Sequence, residues 1–399
     1  MNNLKKCALH TAVLMACALG SQLANAGATI SFGEDKYISA GFGFITSYNS
    51  VEDAANSNSD RSHNFSLDSA RLYLSGSFNK YIKGMLNTEK SGGGSDVGSN
   101  VEVIDANVQF QLTPEVAIWA GRFLSPSDRA NMAGPYYSMG GGYWANIASR
   151  YGWNGGVIGR DEGVAVVTSF LEDHLAVSFG AFEGDKIFRF SGVGAQSQST
   201  TTKDNLMYAG RVQYDFWDAE PGYYGTGNYF GAKDILAIGV AGRYKKDGSV
   251  SPTGTVGDYK SYSVDFLLEK KDVGPGTFSA EAAYYYYDTD NVFRGEQGKA
   301  YSAGLGYLFQ EQVGWGKFMP IIRYQKFDAD GTTSFSAATV SSAATFTNTT
   351  GSGSSKRFEV GTNYIIAPYN ATLTATVGKQ DTPSTSSDNF VKVALQMQF

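Results

Sequence analysis

Apolar and polar side chains alternate along many short segments of this chain, most clearly at its carboxyl end. Successive side chains of an extended strand point to opposite sides. In the last ten residues one side is apolar throughout and the other is mostly polar; the apolar side consists of Val391, Val393, Leu395, Met397 and Phe399. The same two-residue period returns in 104–112, 278–286 and 358–366. Such alternation predicts β-strands with one apolar face.

Sixteen segments of this kind follow one another along the chain. We predict strands at 37–48, 63–78, 81–89, 102–112, 116–123, 162–170, 175–183, 205–214, 234–246, 259–270, 276–288, 298–308, 317–327, 357–366, 370–379 and 389–399. Most have about 9 to 12 residues, the length that a tilted strand needs to cross a bilayer. An even strand number is the rule in single-chain bacterial barrels. The pattern therefore predicts an all-β fold, a 16-stranded antiparallel transmembrane β-barrel.

The connections between these segments alternate in length. Short turns are predicted at 79–80, 113–115, 171–174, 271–275, 309–316 and 367–369, and long loops at 49–62, 90–101, 124–161, 184–204, 247–258, 289–297, 328–356 and 380–388. Short periplasmic turns and long extracellular loops are typical of outer-membrane barrels, whereas a secreted β-sandwich has no reason to alternate its loop lengths. The connection at 215–233 is too long for a periplasmic turn. It either holds a small ordered motif or marks an error in the strand count.

The first 26 residues have the pattern of a secretory signal. Lys5 and Lys6 precede an apolar run, and Ala24-Asn25-Ala26 offers a small-residue cleavage site. The run is too short to span a bilayer as a helix. A lipobox ending at Cys17 is a weaker alternative, because a Met stands inside it. We therefore predict a signal peptide at 1–26, a barrel at 27–399, and export to the outer membrane of a Gram-negative cell.

Composition narrows the function classes. Cys7 and Cys17 are the only cysteines and lie in the signal, so the mature chain has neither disulfides nor thiol chemistry. Removing the signal leaves 30 cations and 38 acids, a net charge of −8, without the basic patch expected of a nucleic-acid binder. Mean hydropathy is −0.24, with 25 Tyr and 25 Phe among the 399 residues. This composition suits a spanning barrel as well as a large β-sandwich, and the alternation favours the barrel.

The sequence offers no pattern for catalysis or metal binding. The mature chain has only two histidines, His63 and His174, and no sequence motif brings either together with a Ser and an acid as a hydrolase triad requires. Paired His and Cys ligands are missing as well. We therefore predict a protein that is not an enzyme and needs no cofactor or metal.

Charged residues on the polar strand faces are expected to point into the lumen. Arg or Lys facing lipid at mid-bilayer would cost roughly 2–4 kcal/mol. The predicted lumen-facing charges are Arg71, Asp105, Arg122, Arg211, Arg243, Arg323 and Lys392. Five further acids are expected on the same side: Asp68, Asp265, Glu269, Glu281 and Glu359. These charges could pair and hold the barrel's shape, or they could select ions. The sequence leaves both interpretations open.

The longest predicted loop, 124–161, is the third one on the outer side. Sixteen strands enclose an aqueous channel, and a loop folded into that channel would narrow it. We predict that this loop forms a pore constriction carrying Asp128, Arg129, Arg150, Arg160 and Asp161.

Several segments, in their order along the chain, resemble the phosphate-selective porin O/P family of outer-membrane porins. They are Asp68–Gly76, Asp105-Ala106, Gly121–Phe123 with Pro126, Gly159–Val164, Tyr208–Arg211, Glu220–Tyr224, Asp234–Gly239, Gly314–Lys317 with Arg323-Tyr324, and Arg357–Gly361 with Asn363-Tyr364. The resemblance covers nearly the whole mature chain. It implies a homotrimer of sixteen-stranded barrels with an inward-folded third loop, and phosphate selectivity through a ladder of Arg and Lys.

This chain departs from that family in its charges. No ladder of cations can be located, and predicted inward acids match the inward cations. A general diffusion porin for small solutes and an anion porin therefore both stay open, as does a non-channel barrel acting as an enzyme or adhesin. Outer-membrane lipid is an expected partner, and so is the barrel-assembly machinery, which would recognise the last strand with its terminal Phe399.

Overall fold

The computed structural model describes residues 27–55, 57, 59–91, 100–142, 144–149, 159–184, 204–250, 255–341, 344–383 and 385–399. The predicted signal peptide and Arg150 lie outside these residues. The described part is almost entirely β-structure. Its strands are β1 Ala28–Gly33, β2 Lys36–Val51, β3 Asn64–Asn79, β4 Ile82–Ser91, β5 Asn100–Gln111, β6 Val116–Leu124, β7 Arg160–Phe170, β8 Leu175–Phe182, β9 Met207–Asp215, β10 Ile235–Val250, β11 Val256–Val273, β12 Gly276–Asp288, β13 Gly298–Phe309, β14 Lys317–Ala329, β15 Thr333–Ser341, β16 Ala344–Ser352, β17 Ser355–Ala367, β18 Ala371–Thr382 and β19 Thr385–Gln398. One short helix, α1, spans Arg129–Ala133.

Sixteen of these strands form a closed ring, in which each pairs antiparallel with the next. The ring runs from β2 to β14 and continues through β17, β18 and β19. It closes where β19 pairs with β2, from Phe390 opposite Val51 to Gln398 opposite Gly43. All sixteen predicted strands are present, and the predicted sixteen-stranded antiparallel barrel is confirmed.

Side chains alternate between the outer face of the barrel and its lumen. In β13, for example, Tyr301 and Leu305 are exposed on the outer face, whereas Ala300 and Ser302 are buried on the inner face. The outer face is therefore mainly apolar and the inner face mainly polar, the reverse of a water-soluble barrel. No helix within the part of the chain that the structure describes is both long and apolar enough to span a membrane.

Strand β1 is an additional element that the sequence analysis missed. It pairs with β2, with Ala28 opposite Ala40 and Ser31 opposite Tyr37. Phe399 also bonds to β2, through both backbone groups of Phe42. Strand β1 therefore continues the line of β19 along β2 and covers the stretch of β2 that lies past the end of the chain. A β-hairpin, β15–β16, is the second missed element, within the predicted loop 328–356.

The long connection between β9 and β10 folds into the lumen. We call residues 216–234 the inserted turn. Its buried residues include Glu220, Thr226, Asn228 and Tyr229. The strand count is therefore correct, and of the two alternatives for 215–233 the ordered motif is the one found. The end of the barrel that carries this turn and the short turns is called the turn end, and the opposite end the loop end.

Part of the lumen is packed with apolar side chains. The cluster consists of Ala117, Trp119, Phe123, Ala165, Phe182, Met207 and Ala209 from the walls of β6 to β9. Tyr223 and Tyr224 of the inserted turn pack against it. The Phe123 ring meets the rings of Trp119 and Phe182 at centroid distances of 5.7 and 5.4 Å. This side of the lumen is therefore a packed core.

We expect Phe123→Ala to lower the free energy of unfolding by about 3–5 kcal/mol, because it leaves a cavity among buried rings. Denaturant unfolding of the barrel in lipid vesicles measures this loss. The control is Phe65→Ala, whose side chain is 76% exposed and whose loss is expected to change stability by less than about 1 kcal/mol. Equal effects of the two substitutions would contradict a packed core inside the lumen.

Candidate functional site

The third long loop is folded into the barrel. We call its described part, residues 125–149, the inner loop; Tyr143 is the one residue of this range that is not described. Helix α1 begins after Asp128, whose side chain accepts a hydrogen bond from the backbone N–H of Asn131 at the start of the helix. Most described residues of the loop are buried although they form no strand. A buried loop needs partners for its backbone polar groups.

Wall side chains supply those partners around most of the lumen. Arg211 on β9 donates to the Ser127 carbonyl at 3.0 Å, and Tyr287 on β12 donates to the Ala148 carbonyl at 2.7 Å. Farther round the wall, donors on β14, β17 and β19 reach three more loop carbonyls: Arg323 to Gly140 at 3.3 Å, Asn363 to Met139 at 2.8 Å and Gln396 to Tyr136 at 3.0 Å. The inner loop is therefore held by the polar faces of the strands.

Two glycines let the inner loop approach the wall closely. A Cβ atom on Gly141 would lie 2.4 Å from Oγ1 of Thr374 on β18. On Gly140 it would lie 2.8 Å from Cδ1 of Ile321 and 2.9 Å from Cζ of Arg323. Real Cβ atoms do not make such contacts. These glycines therefore allow tight packing of the loop against the wall.

The inserted turn meets the inner loop inside the lumen. Arg129 donates two hydrogen bonds to the Glu220 carboxylate, at 2.8 and 2.7 Å, and a third to the Thr226 carbonyl at 2.9 Å. The backbone N–H of Gly227 donates to the Tyr137 carbonyl at 2.8 Å. Paired bonds between a guanidinium and a carboxylate are among the strongest in proteins. The two segments are thus joined by an ion pair of which each side chain is at most 3% exposed.

The surrounding charges form one buried network. Asp265 on β11 accepts two hydrogen bonds from Arg211, at 2.5 and 2.8 Å, and one from the backbone N–H of Arg129 at 3.1 Å. Burial alone would raise the pKa of Glu220, but the Arg129 charge and its hydrogen bonds outweigh burial and hold that pKa below its ordinary value. Burial alone would lower the pKa of Arg129, but the negative charges of Glu220 and Asp265 outweigh burial and raise it. Both groups are therefore charged at neutral pH.

A cavity of about 270 Å³ lies between the inner loop and the wall of β2, β3, β14 and β17–β19. Its charged lining residues are Asp68, Arg323, Arg357, Glu359 and Lys392. Glu359 binds both Arg323, at 2.5 Å, and Arg357, at 3.0 Å, while Lys392 binds Asp68 at 2.7 Å. Three cations thus share two acids in this lining. Small polar residues and loop glycines complete it, among them Thr374, Thr376 and Gly142.

Six of the seven predicted lumen-facing charges lie on the inner face. They are Arg71, Asp105, Arg211, Arg243, Arg323 and Lys392. Asp128 and Arg129 lie in the inner loop as predicted. Arg160 and Asp161 do not belong to the loop, because β7 begins at Arg160. Arg160 contacts Asp105 at 3.4 Å, and Asp161 accepts a hydrogen bond from the backbone N–H of Gly184 at 2.8 Å.

The prediction that Arg122 faces the lumen was wrong. Its neighbours Gly121 and Phe123 point inward, and its register partner Ala106 is exposed on the outer face. Arg122 forms an ion pair there with Glu162, and the two side chains are 35% and 48% exposed. The position lies near the loop end of β6. A paired charge near the rim avoids most of the cost of facing lipid, because that cost falls towards the interfaces.

Three charged residues of the site were missing from the prediction: Glu220 in the inserted turn, Arg357 at the cavity, and Glu89, which pairs with Arg71 at 2.6 Å. Arg357 already lies in the predicted strand 357–366 and alternates with the outward Phe358, so the same alternation predicts that it faces the lumen. Glu89 lies beyond a bulge between Asn87 and Thr88, which shifts the pairing register of β4 and β5. The sequence gives no signal for that shift.

Comparisons with known proteins bear on the fold. No family model matches the sequence, and no curated protein matches it either. Solved structures do match. The anion-selective porin from Comamonas acidovorans is 15% identical with a TM-score of 0.57, covering 91% of this chain and 100% of that one. The fold is that of an outer-membrane porin.

Two further porin-type structures support this assignment. OmpF of Salmonella typhi, in complex with daunomycin, is 11% identical with a TM-score of 0.55, and the outer membrane channel DcaP of Acinetobacter baumannii is 12% identical with a TM-score of 0.52. Each match covers 93% of this chain and 100% of the other. At such low identity the likeness concerns the fold, and the function has to be argued from the lumen.

The lowered pKa of Glu220 predicts acid sensitivity. A carboxylate with a depressed pKa stabilises the folded state fully above its ordinary pKa of 4.5, and this contribution is lost as the pH falls through the lowered value. We expect the resistance of the barrel to denaturant to fall below about pH 4.5 and Glu220→Gln to flatten part of that fall. Glu162→Gln is the control and is expected to keep the wild-type profile. Identical profiles for wild type and Glu220→Gln would contradict this role.

Proposed function

We propose that this chain is an outer-membrane porin that lets small hydrophilic solutes diffuse passively through its lumen, with a weak preference for anions. The observation that carries the proposal is the cavity with a charged lining between the inner loop and the wall of a closed barrel. The exposed apolar outer face suits lipid, where only structures with satisfied backbone groups are stable. Water and polar solutes would find their partners inside.

The weak anion preference rests on the charges of the cavity lining. Its three cations outnumber its two acids, and Lys392 and Arg357 keep side-chain exposures of 26% and 18%. The nearby acids offset most of this positive charge. We therefore expect a small bias and no strong phosphate selectivity, which would need cations free to bind phosphate. The similar structure from Comamonas acidovorans is named an anion-selective porin, which agrees with the anion preference proposed for this chain.

Location and assembly follow from the same proposal. The predicted signal would export the chain, and the last strand, with Phe399 stacked on Phe42 at 4.8 Å, would be recognised by the barrel-assembly machinery. With its termini at the turn end, that end would face the periplasm and the loop end the outside. A homotrimer is proposed in keeping with the resemblance to the porin family.

The reversal potential across a KCl gradient in planar bilayers tests the proposal. We expect weak anion preference for the wild type. Arg357→Gln and Lys392→Gln should each lower the anion-to-cation permeability ratio by roughly 2- to 5-fold, since each removes one unit charge beside the path. Lys326→Gln is the control, because Lys326 pairs with Asp328 on the outer face. Unchanged ratios in both cavity variants would remove the basis for anion preference, and no wild-type conductance would favour a non-channel barrel.

The inner loop is proposed to form the constriction of the pore. We expect deletion of 136–148 to raise the single-channel conductance, because it removes the segment that lies across the lumen. Single-channel recording of the deletion variant beside the wild type measures the change. Heat-dependent migration in detergent gels shows whether the variant forms a folded barrel. A folded variant with wild-type conductance would contradict a constricting loop.

A further inference from the structure

The inserted turn crosses the lumen from wall to wall. On one side, the Tyr223 hydroxyl donates to the Leu124 carbonyl at 2.6 Å, and its ring lies 4.8 Å from that of Trp119 on β6. On the other side, the backbone N–H of Tyr229 donates to Glu269 on β11 at 2.7 Å, and Asn228 donates to Ser279 on β12 at 2.8 Å. The turn therefore spans the distance between β6 and β11–β12 inside the barrel.

The space beneath and around this span is filled. Tyr224 packs on the same apolar cluster as Tyr223, and its hydroxyl reaches the Asp105 carboxylate on β5 at 3.3 Å. Toward β11, Tyr229 is buried with Ile235, Ala237 and Leu267. In this half of the lumen, the gap beside Tyr223 and Tyr224 measures about 30 Å³ and the gap beside Asp128 and Tyr285 about 20 Å³. The 270 Å³ cavity, in contrast, is lined by β2, β3, β14 and β17–β19.

The inserted turn also determines where the inner loop lies. Glu220 accepts hydrogen bonds from both terminal nitrogens of Arg129. The Tyr229 hydroxyl donates to the same carboxylate at 2.7 Å. A second acid near the Arg129 side chain, Asp265, lies 3.6 Å from its Nε and is already bound by Arg211. Removing the Glu220 charge would leave a buried guanidinium without its main partner. Such a cation is driven to find another partner or water.

From these contacts we infer that the inserted turn is a second constriction element: it closes the β5–β12 half of the lumen from the turn end, and its Glu220 positions the inner loop through Arg129. Solutes are thereby confined to the side of β14, β17, β18, β19, β2 and β3. This inference rests on the proposed porin function. Glu220 is a positioning residue, because it acts on the path through Arg129 and the loop.

Single-channel recording tests the inference with two variants and a matched control. Glu220→Gln keeps the shape of the side chain but removes its charge, and the double variant Arg129→Gln with Glu220→Gln avoids a lone buried cation and is expected to fold. Glu162→Gln makes the same chemical change in the exposed ion pair on the outer face. Heat-dependent gel migration confirms the folded barrel in each case.

We expect both Glu220 variants to increase open-channel current noise at least about twofold and to close at lower voltage, since a loop released from its partner samples more positions. The control should match the wild type. Replacing 219–231 by a short turn like 113–115 should raise the conductance about twofold by opening the second half of the lumen. Wild-type noise, closing voltage and conductance in these variants would overturn the inference and leave the porin function intact. A wild-type protein that does not conduct would overturn both.

Discussion

Closure of the hydrogen-bond ring is the constraint on which the rest of this structure depends. A strand edge left open in lipid would expose a row of unpaired N–H and C=O groups, each costing several kcal/mol. Pairing of β19 with β2 removes that edge. The terminal Phe399 bonds to Phe42, and β1 carries the pairing on toward the turn end. The backbone of β2 is therefore covered past the point where the chain ends.

Once the ring of sixteen strands is closed, its radius leaves more space than the wall side chains can fill. The chain fills part of that space from both ends, with the inner loop and with the inserted turn, and leaves the cavity between the inner loop and the wall. The described residues of these two segments form no strand, so most of their backbone groups need donors and acceptors from the polar wall. Arg211, Asn363 and Gln396 supply donors to the loop, and Glu269 accepts from the turn. Many inward polar residues thus serve to hold these segments.

The sequence predicted the ring but little of its contents. Apolar and polar residues alternate because every strand has one face on the outside of the barrel and one toward the lumen. All sixteen strands were predicted from this alternation. It fails where the period breaks: Glu89 lies past a bulge. The placement of Arg122 failed for another reason, because its partner Glu162 is 40 residues away in the chain and supplies on the outer face the charge that makes that position tolerable. Charge alone cannot decide the facing of a residue near the rim.

The other elements that the sequence did not predict lack a clear local pattern, each for its own reason. Strand β1 is too short and too exposed for its alternation to stand out. Hairpin β15–β16 is rich in Ser, Thr and Ala, a composition equally common in irregular loops. The inserted turn folds through contacts with distant partners, such as Glu220 with Arg129, and no local periodicity records such contacts. An ion pair between residues so far apart in the chain forms only after the closed ring has brought the two residues together, so it cannot be predicted from the local sequence.

Burial separates the lumen charges that build the structure from those that can act on a solute. The pairs Arg71–Glu89, Arg129–Glu220 and Arg211–Asp265 keep side-chain exposures of 7% or less, so they contact protein and hold strands, loop and turn together. Lys392, Asp68 and Arg357 keep 18–26% and border the cavity. Water and ions compete for exposed charges, so these partly exposed pairs contribute less to stability than the fully buried pairs. Their electric field reaches the cavity, so a small local excess of cations can affect ions there even though the chain as a whole is acidic.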